Sequence, residues 1–395
     1  MNVTYQTRTP GSQASLREAN RRRIVEALHK HGGLSKAELA GASGLSAGTV
    51  HNIVKELSSA GILHTVDATQ SGRRAVFVTL ARELGLVAGI HISRRHLRIV
   101  LSDVAKTVIA EHEMPLGKDH RADNELRKSL LLIADMLDAV GASSDELLGV
   151  GVAINAPVER HSGTVMAHGE LRGWERVPIA EILQRGLGKP AWVANASNLA
   201  ALAELRMGAL RGTEHGIFID INEGVGAGLI IDGRLFIGNS GTAGEFGHMT
   251  IRENGPKCSC GSRGCLDAVA GGGAVLERLK DTYRNLKLSD LLARAMAGDD
   301  ACIRAIAEAG SSIGVAAVTM CMLINPARIV IGGEMSRAGE LLLGPIRREV
   351  ETSFLAGEGS TPEIIQAQVG IRAGVLGSIL LAIDHIEIAR SALRL

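Results

Sequence analysis

A chain of 395 residues, 46% hydrophobic and 22% charged but only 2% aromatic, with 48 glycines, is long enough for two or three cores. That mixture excludes a disordered or fibrous protein and suits an α/β fold with many tight strand-to-helix turns. The formal net charge is +1, yet residues 1–80 hold ten Lys/Arg against five Asp/Glu, so a polyanion partner is expected at that end.

The longest mainly apolar runs, 148–158 and 313–324, fall short of the ~20 residues that a bilayer span needs. Residues 1–11 lack a basic-then-apolar leader pattern. No membrane segment and a cytoplasmic location are therefore expected.

Residues 1–15 are expected to be a flexible N-terminus, with a first folded module over 16–82. Leu16, Ala19, Ile24, Ala27 and Leu28 recur at helical spacing, with Arg21, Arg22 and Arg23 on the solvated side and Gly32-Gly33 as a stop. Ser35 and Glu38 form a capping-box pattern for a second, short helix. Gly44 allows a turn with positive φ, and Ser46 caps a third helix to about Ala60. On that helix Val50, Ile53, Val54 and Leu57 face inward, while Gly48, Thr49, His51, Asn52 and Lys55 face out. Two strands follow, 62–66 and 75–80, around a turn at 67–74 with Arg73 and Arg74 at its base.

Each helix alone could belong to an ordinary bundle. Together and in this order they read as a winged helix-turn-helix, whose third helix enters the major groove of double-stranded DNA. Ser46, Gly48, Thr49, His51, Asn52, Lys55, Arg73 and Arg74 are the candidate contacts. Asn52 suits a bidentate pair with adenine, and His51 a base edge, a phosphate or plain solvent.

Beyond Gly85 the pattern becomes strand, turn, strand, then alternating strands and helices: strands 86–92, 96–102 and 148–154, a helix near 126–140, strand 191–195, a helix from Asn198, strands 216–221 and 227–231 with a hairpin at Asp232-Gly233, and two long helical stretches. An α/β pattern entered twice predicts two similar lobes with a cleft between them.

His248, Cys258, Cys260 and Cys265 lie within eighteen residues among glycines, a donor set for a closed tetrahedral zinc site. The other reading is an unmetallated thiol cluster; disulfides are disfavoured in a cytoplasmic chain. Cys302 and Cys321 read as small buried hydrophobes.

From Gly244-Glu245-Phe246-Gly247-His248 through Cys258-Ser259-Cys260-Gly261-Ser262-Arg263-Gly264-Cys265-Leu266-Asp267, the chain resembles the ROK family of repressors, open reading frames and kinases, and the likeness runs from about Leu16 onward. It implies a two-lobed, actin-like ATPase (ribonuclease H-like) body over 83–395, lobe 1 at about 83–197 plus the C-terminal helix and lobe 2 at about 198–375. Sugar kinases of the family carry Asp-x-Gly-Gly-Thr where this chain reads His91-Ile92-Ser93-Arg94-Arg95, and Asn-Asp-Ala-Asn where it reads Asn195-Ala196-Ser197-Asn198. Bulky side chains crowd the first turn, and Ala196 cannot take a proton from a sugar hydroxyl. By the same resemblance Glu223–Gly228 keeps part of the second phosphate loop, though a Gly run of this kind reads more readily as a tight β-turn, and Ile331-Gly332-Gly333 is only a remnant of the nucleotide-binding lobe.

By the same resemblance the sugar-facing positions are Asn195, Ala196, Glu245, His248 and Asp267, and Asn155 stands in a changed Gly-x-Pro-Gly-Pro wall. Glu245 would touch ligand directly or only support the metal loop. The expected protein is a homodimeric or homotetrameric DNA-binding repressor with structural zinc and a sugar or sugar-derived effector in a catalytically dead cleft. A residual sugar kinase and a ligand-independent regulator are the alternatives. Ala47 and Gly48 replace the Arg and Pro frequent in relatives, shifting weight to Thr49, His51, Asn52 and the wing arginines.

Overall fold

The computed structural model describes residues 13–70, 73–81, 84–117, 119–166, 171, 173–353 and 361–386, with the backbone alone for 13–15, 29, 67–70 and 73–75. Helix α1 spans Gln13–His31, followed by a short strand β1 (Leu34–Ser35), α2 (Lys36–Ser43) and α3 (Ala47–Ser59). The local signals act as expected. Glu38 N donates to Ser35 Oγ and Ser35 N to the Glu38 carboxylate, and Gly44 closes α2 at φ 66°. Val50, Ile53, Val54 and Leu57 are buried beneath α3.

Only the second half of α1 is apolar on its inner side. Ile24, Val25, Ala27 and Leu28 are buried, whereas Leu16 is 64% exposed and Ala19 is exposed as well. Arg21 is not in open solvent: with Arg17 it pairs with Glu56 of α3, so ion pairs replace apolar packing in the first turns.

Strands β2 (Leu63–Gln70) and β3 (Arg73–Leu80) form the wing, and β1 adds to β3. The hairpin is longer than its apolar alternation indicated, because backbone pairing continues through Asp67↔Val76, Thr69↔Arg74 and Gln70↔Arg73. Arg73 and Arg74 therefore stand at the distal end of the ladder, not at its base. Their side chains lie outside the described residues.

The body contains two five-stranded sheets of identical topology. The first is built from β4 (Leu86–Ile92), β5 (His96–Asp103), β6 (Val108–Pro115), then, after α4 (Ala122–Ala139), β7 (Leu147–Ile154), and, after α5 (Ile179–Leu187), β8 (Ala191–Asn195). Three strands form an antiparallel meander, and the last two join parallel to the first, giving the order β6-β5-β4-β7-β8.

Helix α6 (Ala196–Met207) leads to the second sheet. It begins two residues earlier than periodicity placed it, because Asn195 supplies the cap: its Oδ1 accepts from Ser197 N and Asn198 N. Strands β9 (Gly216–Ile221), β10 (Val225–Ile231) and β11 (Arg234–Phe236) precede α7 (Leu266–Ala270), α8 (Gly272–Arg278), α9 (Leu288–Met296) and α10 (Asp300–Ile324). Then come β12 (Arg328–Gly332), α11 (Glu340–Ser353), β13 (Glu363–Gln366) and α12 (Ala373–His385). The order β11-β10-β9-β12-β13 repeats that of the first sheet.

Alternation along β9 separates two cores. Ile217, Ile219 and Ile221 meet α7, α9, α10 and α11, whereas Phe218 meets α6. Helix α10, at 25 residues, has the length and composition of a membrane span, which the shorter apolar run 313–324 did not indicate. Much of its length is buried within the protein, and it forms the spine of the second core.

Helices α6 and α12 lie between the sheets, each having left one sheet to cover the other. Their approach is at backbone distance. A Cβ on Gly377 would stand 1.9 Å from Leu199 O, and one on Gly151 would stand 1.8 Å from Ser378 O. The N-terminal module shares a core with this body, where Ile24, Leu28, Leu57 and Leu63 join Val87, Val100, Val375, Ile379 and Ile383.

Candidate functional site

The outward face of α3 is set by its cap: Thr49 N donates to Ser46 Oγ at 3.2 Å, and the two hydroxyls sit 2.8 Å apart. With the apolar stripe pointing inward, Ser46, Gly48, His51, Asn52 and Lys55 are exposed and Thr49 half-buried. Lys36 Nζ at the start of α2 is 3.5 Å from His51 Nδ1.

The second constellation is the His/Cys cluster. The ligand atoms of His248, Cys258, Cys260 and Cys265 all lie within 4.8 Å of one another. Cys258 Sγ is 3.6 Å from His248 Nδ1, and Cys260 Sγ is 3.7 Å from Cys265 Sγ. A tetrahedral ion with metal–sulfur bonds of about 2.3 Å and metal–nitrogen bonds of about 2.0 Å requires edges of about 3.8 and 3.5 Å. The cysteines are free, and their sulfurs are far beyond the 2 Å or so of a disulfide.

Glycine makes the loop possible. Gly264, at φ 69°, lies where a Cβ would be 1.6 Å from Arg252 O. Burial and the neighbouring thiols of Cys260 and Cys258 push Cys265 up to about 12. A divalent cation at the centre would remove that penalty, so the donor set fits a bound metal ion.

His248 also belongs to the cleft. With Nδ1 toward Cys258, its Nε2 faces Glu245 Oε2 at 3.9 Å. Farther along, the loop after β7 meets the segment that precedes Gly244, Arg160 N donating to Ser240 O at 3.0 Å. Asn155 Oδ1 accepts from His91 Nε2 at 2.8 Å. Burial brings His91 down to about 4, despite that bond, so the imidazole is neutral near pH 7.

The structure commits two expected ligand contacts to the protein itself. Asn195 uses Oδ1 for the α6 cap and donates Nδ2 to Ala156 O at 3.1 Å. Asp267 Oδ1 accepts from Val225 N at 2.8 Å, bracing the start of β10. Ala196, where the family's catalytic carboxylate would stand, is buried.

Two further polar groups escaped the sequence reading. Asn198 is buried with an unpartnered Oδ1, 3.7 Å from where a Cβ on Gly244 would sit, beside Glu245. Such an orphaned acceptor is costly unless a donor reaches it. Asp220, on the α6 side of β9, accepts from Asn222 Nδ2 at 2.9 Å and Ser197 Oγ at 3.3 Å, and burial pushes it up to about 6. An aspartate flanked by Ile219 and Ile221 was the available signal. Arg95 Nε meets Glu223 Oε1 at 2.8 Å, joining the β4–β5 turn to the β9–β10 turn.

Residues 87–385 match the ROK family and residues 17–63 a winged helix-turn-helix DNA-binding family. The xylose repressor of Bacillus subtilis (strain 168) is 26% identical over 94% of this chain and 97% of that protein. The DNA-binding transcriptional dual regulator NagC of Escherichia coli (strain K12) is 28% identical over 93% of this chain and 94% of that protein. Among solved structures, a ROK family transcriptional regulator described as a homolog of the E. coli MLC protein superposes with a TM-score of 0.76, at 22% identity, over 96% of this chain and 99% of that one. A ROK family glucokinase from Streptomyces griseus, solved with glucose and AMPPNP, reaches 0.68 at 25% identity over 75% of this chain and 99% of that one. The kinase covers three quarters of this chain, whereas the regulators each cover more than nine tenths of it. The chain belongs to the ROK family, as a DNA-binding transcriptional regulator and not one of its kinases.

Proposed function

We propose that the protein is a repressor that acts in the cytoplasm as a homodimer or homotetramer, and that a sugar or sugar derivative in the cleft sets its affinity for an operator. The winged module would occupy residues 16–82 and the sensing body 83–395. The observation that carries this reading is the orphaned Asn198 Oδ1 beside Gly244, next to the Glu245–His248 pair, in a cleft where Ala196 stands in place of the family's proton acceptor. A pocket with unspent hydrogen-bonding capacity and no general base is suited to binding and not to turnover.

Asn155, Glu245 and His248 would line the ligand, with Asn195 and Asp267 holding the walls. Zinc at His248, Cys258, Cys260 and Cys265 would be structural, since four protein donors leave no open position. Ser46, Gly48, Thr49, His51, Asn52 and Lys55, with Arg73 and Arg74 of the wing, would meet DNA. The xylose and N-acetylglucosamine repressors among the relatives point to small sugars as first probes.

The test is selection of bound fragments from the source genome, followed by gel shifts with and without D-xylose, N-acetylglucosamine and their phosphates. Sequence-selective binding weakened by one of them is expected. Absence of selective binding at moderate salt would overturn the regulator reading, and binding indifferent to every sugar tested would favour a ligand-independent regulator.

A further inference from the structure

The end of α1 does not rest on apolar packing alone. Its last-turn carbonyl, Lys30 O, accepts from Arg206 Nη1 at 3.4 Å and from Lys106 Nζ at 3.2 Å. Terminal helix carbonyls lack intrahelical donors and form the negative end of the dipole, so two cations from the body satisfy a real demand.

Both cations are held in place. Arg206 Nη2 is tied to Asp384 of α12 at 3.0 Å. Lys106 sits at φ 72° in the β5–β6 turn, where its N donates to Asp103 O and Thr107 N to Asp103 Oδ1. The turn fixes the backbone from which Lys106 reaches Lys30 O.

Arg206 stands in the last turn of α6, and α6 starts in the cleft at Asn195 and Asn198. Twelve residues of helix span about 18 Å. The rod cannot slide freely against its neighbour, because the buried Glu204 carboxylate accepts from Val369 N at 2.7 Å, Ala209 N at 2.6 Å and Gln368 N at 3.3 Å.

We infer that Arg206 and Lys106 are positioning residues for the DNA-binding module, and that α6 links the orientation of α1 to the state of the cleft. A displacement at the Asn195 end moves the guanidinium that holds Lys30 O, and with it the base of the recognition unit. The inference rests on the DNA-binding role of the module but on no particular ligand. It needs two arrangements of α6 that hold α1 unequally.

Hydrogen exchange on the full chain tests it, using Arg206→Ala, Arg206→Lys, Asn195→Ala and the double variant Asn195→Ala/Arg206→Ala. In Arg206→Ala, exchange across α1 and the wing is expected to rise at least tenfold while β9 and β10 keep wild-type protection. Arg206→Lys, which can still donate to Lys30 O, is expected to restore most of the protection. Asn195→Ala is expected to loosen α1 in the wild-type background and to add nothing to Arg206→Ala. Wild-type exchange in Arg206→Ala, or additive effects of the two substitutions, would overturn the inference. Loss of genomic DNA selection by the wild-type chain sinks the regulator reading alone, since the exchange comparison needs no DNA.

Discussion

Arg95 and Glu223 are 128 residues apart in the chain and 2.8 Å apart in the fold, joined across the gap between the two sheets. The pair joins the two turns that the family resemblance aligns with the phosphate loops of the kinases. With side chains 42% and 29% exposed, it adds at most about 1 kcal/mol to stability, and its effect is mainly steric and electrostatic occupancy. No transfer from ATP to hexoses or amino sugars is expected in a coupled assay, from the wild-type chain or from Ala196→Asp, since the latter restores a carboxylate without reopening the turn. Turnover that disappears in Glu245→Ala would reverse this.

Metal content is expected to be one zinc per chain by elemental analysis. Cys260→Ser and Cys265→Ala should each lose most of it and lower Tm, because the binding energy of a structural metal is part of the folding energy. Chelation of the wild-type protein should reproduce the shift. A metal-free chain with an unchanged Tm would show the cluster to be thiols only.

Asp220 has its folded pKa raised to about 6 from an ordinary 3.8. The native state then holds a proton that the unfolded chain has released between those values, so stability is greatest at the acid end of the window and falls as pH rises through about 6. Asp220→Asn removes the change. The variant is expected to gain on the wild type between pH 4 and 7, by about 3 kcal/mol at most. Urea midpoints at pH 4.5 and 7.5 decide it, and parallel behaviour of the two proteins contradicts the assignment.

On α3, Asn52→Ala is expected to cost about 1–3 kcal/mol against a selected operator and to relax discrimination at one base pair. Lys55→Ala should weaken binding to all sequences alike and lower the salt slope by about 1. Gel shifts across a salt series distinguish these, and an Asn52→Ala effect equal on specific and random DNA removes Asn52 from base readout.

Features with local causes were legible in the sequence. Ser35 with Glu38, Ser46 with Thr49, Gly44, and the His248 to Cys265 spacing need only a few neighbouring residues to act, and each was readable before folding. The strand β6 was not, because Glu111, His112 and Glu113 on a sheet edge interrupt the apolar alternation that marks a strand. Arg73 and Arg74 were put at the wrong end of the wing because Thr69 and Gln70 pair as well through the backbone as apolar residues would. In the cleft, Glu245 and His248 came from a motif, whereas Asn198, Asp220 and the Arg95–Glu223 pair depend on which strands become neighbours. Asn195 carried the right residue type for a ligand contact, and its side chain went to a helix cap and a carbonyl instead.

The backbone-to-backbone seating of α12 on Gly151 and of α6 on Gly377 has a mechanical consequence. Side chains at an ordinary helix interface can switch rotamers and absorb a disturbance locally. At these two contacts backbone meets backbone, and only the flanking side chains, Leu199 and Leu380 among them, are left to yield. A strain that reaches either contact is passed on as a shift of main chain, much as a hinge without a bushing passes on the movement of its pin.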